Sequence, residues 1–253
     1  MIGEKSQRSK RRRKLVAGLS AALILSESLG ASYAWACREN AMIVFDASGS
    51  MARRDDGRSR ITIARQAAAD VLPSVTKNRP TGLVTYGGLA GPACSDVIVR
   101  VEPQAGSGRQ IIAELDQIQP LGPTALTAGV RTAANILLQR GTAGIVVLIT
   151  DGLENCGGRA CELARQLQDH GDMIRVHVIS FFLDSTRTNT LKCLTGATNG
   201  TYVFTNSLES LRDALRKLLG CLRISRLGGV LPWKSEGSPN SEIGANSLGH
   251  RFG

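Results

Sequence analysis

The sequence predicts an α/β protein: an open, mostly parallel sheet with helices on both faces. Three observations predict it. Ala41-Met42-Ile43-Val44-Phe45 and the run from Gly144 to Thr150 (GIVVLIT) are continuous apolar segments. Each is too short for a core helix and reads as a strand buried on both faces. Around them, short apolar runs alternate with amphipathic stretches, the pattern of a sheet wound with crossover helices. The length, 253 residues, suits one such domain with short extensions.

In chain order, strand 41–45 is followed by a helix from about Ser59 to Leu72, with apolar residues at 61, 64, 68, 71 and 72 and Pro73 as its stop. Gly82 to Tyr86 is the next strand, ended by Gly87-Gly88. Asp96 to Val101 alternates apolar and polar residues, as a half-exposed edge strand does. A second helix spans Ser107 to Ile118, and a third runs from Ala125 to about Leu138. Strand 144–150 follows, then a helix near 160–169 and a strand from Met173 to Phe182. Tyr202-Val203-Phe204 is the last strand, and Leu208 to Leu219 a closing helix. From Arg223 on, Gly, Ser, Pro and Asn without periodicity predict a flexible tail, 223–253.

Residues 1–36 read as an export signal. Lys10-Arg11-Arg12-Arg13-Lys14 precedes an apolar stretch from Leu15 to about Leu29, and Ala34-Trp35-Ala36 supplies the cleavage site. Ser20, Ser26, Glu27 and Ser28 make that stretch too short and polar for a stable membrane span. Arg12-Arg13 leaves the twin-arginine route open beside the general one. Cys37, just past the cut, raises lipidation, which Ala34 and Trp35 fit poorly. The mature chain is therefore expected in the periplasm, at the cell surface or secreted, and on a membrane only if Cys37 is lipidated. The domain boundaries follow: leader 1–36, folded domain 37–222, tail 223–253.

The formal charge is +10, and the leader contributes half of it with seven Lys or Arg against two acids. Beyond it the basic residues are scattered and stacking aromatics scarce, so nucleic-acid binding is discounted. All six cysteines, 37, 94, 156, 161, 193 and 221, lie past the cleavage point. An even count in an oxidising compartment predicts disulfides, with Cys156–Cys161 the most local candidate. Zinc is the poorer reading, because Cys156 and Cys161 lack CxxC spacing and the histidines are only His170, His177 and His250.

The chemistry gathers at two strand ends. Asp46-Ala47-Ser48-Gly49-Ser50 follows strand 41–45 directly, and Thr150-Asp151-Gly152 closes strand 144–150. Open α/β sheets bind ligands beyond the carboxyl ends of their central strands. Positions 46, 48 and 50 can turn three oxygens toward one point. Carboxylate and hydroxyl oxygens without sulfur or imidazole suit magnesium, manganese or calcium rather than zinc. Arg53, Arg54, Arg58 and Arg60 beside the motif read as a solvated loop, and Glu154 as rim rather than ligand.

Asp46-x-Ser48-x-Ser50, Thr124 within Gly122-Pro123-Thr124-Ala125-Leu126, and Thr150-Asp151-Gly152 together resemble the metal-ion-dependent adhesion site of von Willebrand factor type A domains. The resemblance covers about residues 38–220 and implies a Rossmann-like, six-stranded sheet of order 3-2-1-4-5-6 with one antiparallel edge strand. It implies a magnesium site, manganese or calcium being alternatives, built by Asp46, Ser48, Ser50, Thr124 and Asp151. Ser48, Ser50 and Thr124 would coordinate directly, and Asp46 and Asp151 largely through water. A dication so ligated is under-neutralised and can accept an Asp or Glu from a partner protein. Moving Asp151 inward would quench it, a switch that could couple to helix 208–219.

The function expected is thus metal-dependent protein binding by a monomeric, non-catalytic domain outside the cytoplasm. Two rivals are an exported phosphoesterase using Asp46 and a regulatory or sensor subunit of an envelope complex. The enzyme reading is weakened by serine at 48, where a second acid is wanted, and by the lack of a GxSxG elbow.

Overall fold

The computed structural model describes residues 34–37, 39–55, 57–89, 94–183, 188–224 and 230–231. Six strands form the main sheet: β2 (Asn40–Asp46), β5 (Thr81–Tyr86), β6 (Val97–Gln104), β7 (Gly144–Thr150), β8 (Ile174–Phe181) and β9 (Tyr202–Thr205). Their spatial order is β6-β5-β2-β7-β8-β9. All neighbours pair in parallel except β5 with β6, which makes β6 the antiparallel edge. In order of appearance this is 3-2-1-4-5-6, as expected.

The two most apolar strands are adjacent at the centre, Ala41 opposite Ile145 and Phe45 opposite Ile149. Their side chains divide by parity. Ala41, Ile43 and Phe45 of β2 and Ile145, Val147 and Ile149 of β7 pack into one layer, while Met42, Val44, Val146 and Leu148 pack into the other. The first layer is closed by α1 (Arg60–Val75), α2 (Gly108–Gln117) and α6 (Leu208–Leu219). The second is closed by α3 (Leu126–Gln139), α4 (Ala160–Gln168) and α5 (Asn189–Ala197). Each fully buried Leu, Ile or Val contributes about 1.5–3 kcal/mol. Two-sided burial is what makes these strands read as unbroken apolar runs.

Several expectations are corrected. Pro73 does not stop α1, which runs to Val75 with the proline inside its last turn. Near a helix end its missing N–H forfeits only one intrahelical bond. β6 extends to Gln104 through Pro103, tolerated because an edge strand need not donate on its open side. Helix α5 has no counterpart in the sequence reading: its apolar signal is short, with Leu191 and Leu194 as its buried aliphatics. The stretch 223–253 is not wholly a flexible tail. β10 (Leu222–Ile224) pairs with β1 (Ala34–Ala36), the expected cleavage triplet, and with β11 (Val230–Leu231). The rest of the expected leader, 1–33, and the remainder of the tail lie outside the described residues.

The cysteines pair as Cys37–Cys221, Cys94–Cys156 and Cys161–Cys193. The expected Cys156–Cys161 bridge is absent. Cys161 lies in α4, bridged to Cys193 of α5, whereas Cys156 lies in the loop after β7, bridged to Cys94 in the loop before β6. Proximity in sequence lost to the direction of the helix face. Three disulfides suit an oxidising compartment.

Candidate metal centre

Asp46 closes β2 with its side chain wholly buried. A carboxylate there needs partners. Oδ1 accepts the Ser48 amide at 2.8 Å, and Oδ2 accepts the Thr150 hydroxyl at 2.6 Å. Thr150 Oγ1 also receives the Gly152 amide at 3.2 Å, so the side-chain bond that ties β2 to β7 is anchored on the turn after β7.

After Ser48 the chain makes a 3-10 turn, Gly49–Ala52, that swings Ser50 back over the strand ends. The Gly49 amide donates to Gly122 O at 2.9 Å, and Ser48 forms an isolated parallel bridge with Gly122. Those contacts fasten the Asp46–Ser50 loop to the segment carrying Thr124. Gly87, at φ 76, fits tightly against both: a Cβ there would stand 2.7 Å from Ser48 Cα and from Pro123 O. Its own carbonyl accepts the Gly122 amide at 2.8 Å. Glycine is required.

The Ser48 and Ser50 hydroxyls lie 3.0 Å apart, and Ser50 donates to Asp151 Oδ1 at 2.5 Å. Thr124 Oγ1 and Ser50 Oγ are each 3.5 Å from the point where a Cβ on Gly152 would stand. All five predicted residues therefore meet above the central strands, from three separate loops. Thr124 is held in place by Asn155, whose Oδ1 accepts the Thr124 amide at 2.7 Å. Glu154 is more than rim: it accepts the amides of Thr127 at 2.7 Å and Cys156 at 2.9 Å, anchoring the first turn of α3.

Burial first, and the charge of Asp151 second, push the Asp46 carboxyl from 3.8 up to about 6. Two acids crowd a desolvated crevice, an arrangement that a cation would relieve. The hydroxyl protons of Ser50 and Thr150 are given to carboxylates. This donor set, all oxygen, fits a hard divalent cation and not a soft one. Asn155 carries no signal of its own in the sequence; Gly87 reads there only as a strand end, Glu154 only as rim, and Thr150 only as part of the quoted motif. Of the four arginines, Arg53, Arg54 and Arg58 are exposed as expected, but Arg60 is buried and bonded to Asp151.

Residues 41–154 match the von Willebrand factor type A domain. The Bacillus subtilis (strain 168) protein YwmD is 30% identical over 190 residues, which cover 70% of this chain and 84% of YwmD. The chain belongs to the von Willebrand factor type A domain family. A second protein of that bacterium, YwmC, is 29% identical over 151 residues, 56% of this chain and 66% of YwmC, just under two thirds of its length. Among solved structures, the pilus adhesin SpaC from Lactobacillus rhamnosus GG superposes with a TM-score of 0.58 at 16% identity. That likeness covers 74% of this chain and 31% of SpaC, and it concerns the fold. In this von Willebrand factor type A domain, the matched span runs from Ala41 in β2 to Glu154 in the loop after β7, and so contains Asp46, Ser48, Ser50, Thr124 and Asp151.

Proposed function

We propose that the crevice holds a divalent cation, magnesium foremost with manganese and calcium as alternatives, and uses it to bind an acidic side chain of a partner protein. Ser48, Ser50 and Thr124 would hold the ion through their hydroxyls, with Asp46 and Asp151 behind them. When bound, the cation supplies uncompensated positive charge to a carboxylate ligand, and no bond needs to be broken. The observation that carries this reading is the convergence of three hydroxyls and two carboxylates, from three loops, over the ends of β2 and β7. Family membership supports it, and so does the fold shared with a pilus adhesin. The disulfides support a place outside the cytoplasm, and the domain is read as non-catalytic.

The test is thermal melting of wild type and Asp46→Ala in EDTA, then in magnesium, calcium or manganese. Ligand binding to the folded state raises stability by about 2.7 kcal/mol at a hundredfold excess over the dissociation constant. The wild type should gain such a shift and the variant should not. Equal responses would refute the site. Capture of partner proteins from an extracellular fraction, with and without chelator, then tests the binding half.

A further inference from the structure

Arg60 is the crevice residue for which the proposed function has no use. Its Nη1 donates to Asp151 Oδ2 at 2.8 Å and its Nε to Asp55 Oδ2 at 2.7 Å. The guanidinium carbon stands 5.2 Å from the centre of the Phe182 ring. Phe182 itself has φ 54, a left-handed conformation uncommon for a bulky residue, and packs edge-on against Phe181 at the end of β8. The arginine is thus held from three sides, by the β3 (Arg54–Asp55) arm and by the residues that directly follow β7 and β8.

The consequence falls on Asp151. Its Oδ1 takes the Ser50 hydroxyl and its Oδ2 takes Arg60, so both oxygens are committed. For Asp151 to turn onto a cation beside Ser50, it would have to leave a guanidinium that is itself buried. Leaving would strip the guanidinium of its buried carboxylate, with only the partly exposed Asp55 left to balance it, which is costly. We propose that Arg60 is a positioning residue that pins Asp151 outside the inner shell of the cation, keeping the ion short of negative charge and receptive to a partner carboxylate. This rests on the metal reading above.

Manganese alone is the probe, applied to wild type, Arg60→Gln and Asp55→Asn. Two quantities are measured: the manganese dissociation constant, and the water-proton relaxation per bound ion, which reports how many waters the ion retains. Freed from Arg60, Asp151 should enter the shell. Arg60→Gln is then expected to bind manganese about tenfold more tightly and to show lower relaxation. Asp55 is partly exposed and its loss is tolerable to the fold; Asp55→Asn leaves Arg60 uncompensated except by Asp151 and should weaken manganese binding severalfold. Tighter binding with unchanged relaxation would reduce Arg60 to a bystander charge and overturn the proposal. Equal affinity and relaxation in wild type and Arg60→Gln would overturn it too, while leaving the metal site intact. No manganese bound by the wild type removes both readings. If Arg60→Gln does not fold, Arg60→Lys decides, since it keeps the charge but its single ammonium cannot bond Asp55 and Asp151 as the guanidinium fork does: lower relaxation per bound ion supports the clamp, unchanged relaxation refutes it.

Discussion

Thr150 and Asp46, 104 residues apart, sit on neighbouring strands with the threonine hydroxyl 2.6 Å from a carboxylate oxygen. Neither is exposed to solvent. Thr150→Val keeps the shape and removes the donor, leaving a buried carboxylate oxygen without its partner. The expected loss is about 1–3 kcal/mol in urea unfolding. Thr150→Ser restores the hydroxyl and should recover most of it.

Gly87 offers a test of how the loops are assembled. An alanine there would meet backbone atoms of Ser48 and Pro123 at 2.7 Å and would have to hold a positive φ. Together these should cost about 2–4 kcal/mol. Because the clash falls on Ser48, the metal-dependent rise in melting temperature should shrink as well. A Gly87→Ala protein with wild-type stability and metal response would show that the loops are not interlocked.

The Cys94–Cys156 bridge closes a sequence separation of 62 residues. Chain-entropy arithmetic gives a contribution of up to about 4 kcal/mol. Replacing both cysteines by alanine should lower the melting temperature accordingly. Peptide mapping without reduction should recover Cys94 joined to Cys156, with none of the Cys156–Cys161 pairing that the sequence favours.

His177 makes stability depend on pH. Its Nδ1 accepts the Thr201 amide at 3.0 Å, and burial, aided by Arg175, lowers its pKa from 6.5 to about 4. Between those two values the unfolded chain holds a proton that the folded one refuses. Stability should therefore fall as pH drops from above 6.5 toward 4 and then level off, by about 2 kcal/mol after discounting for solvent screening. In His177→Asn, which can still accept from Thr201, that contribution to the slope should vanish in melts across this range.

Strands β2 and β7 were legible because two-sided burial leaves no polar residue to interrupt them. Asp46, Ser48, Ser50 and Asp151 of the candidate site lie at or just past the ends of those strands, and Thr124 stands in a spaced motif before α3. Helix α6 was legible to the residue, since its apolar stripe is long and Ser207 caps it. Helix α5 was not: nine residues with few buried aliphatics give too weak a period, although Leu191 and Leu194 join the second core layer beside α4 and Cys193 bridges to Cys161. Nor was Arg60. In sequence it belongs to a run of charged residues, and only the folding of α1 against the strand ends separates it from its exposed neighbours.

Cys37 and Cys221 are joined where β2 begins and α6 ends, and Arg79 ties the same region by donating to Glu39 O and Leu219 O. This is the pole of the sheet opposite the crevice. A load applied between a partner gripped at the crevice and any chain continuing beyond that bridge would run lengthwise along β2. The covalent link lets either end carry the pull without peeling β2 or α6 from the body. A grip at the crevice of the kind proposed would thus stand at one end of β2 and the covalent clamp at the other.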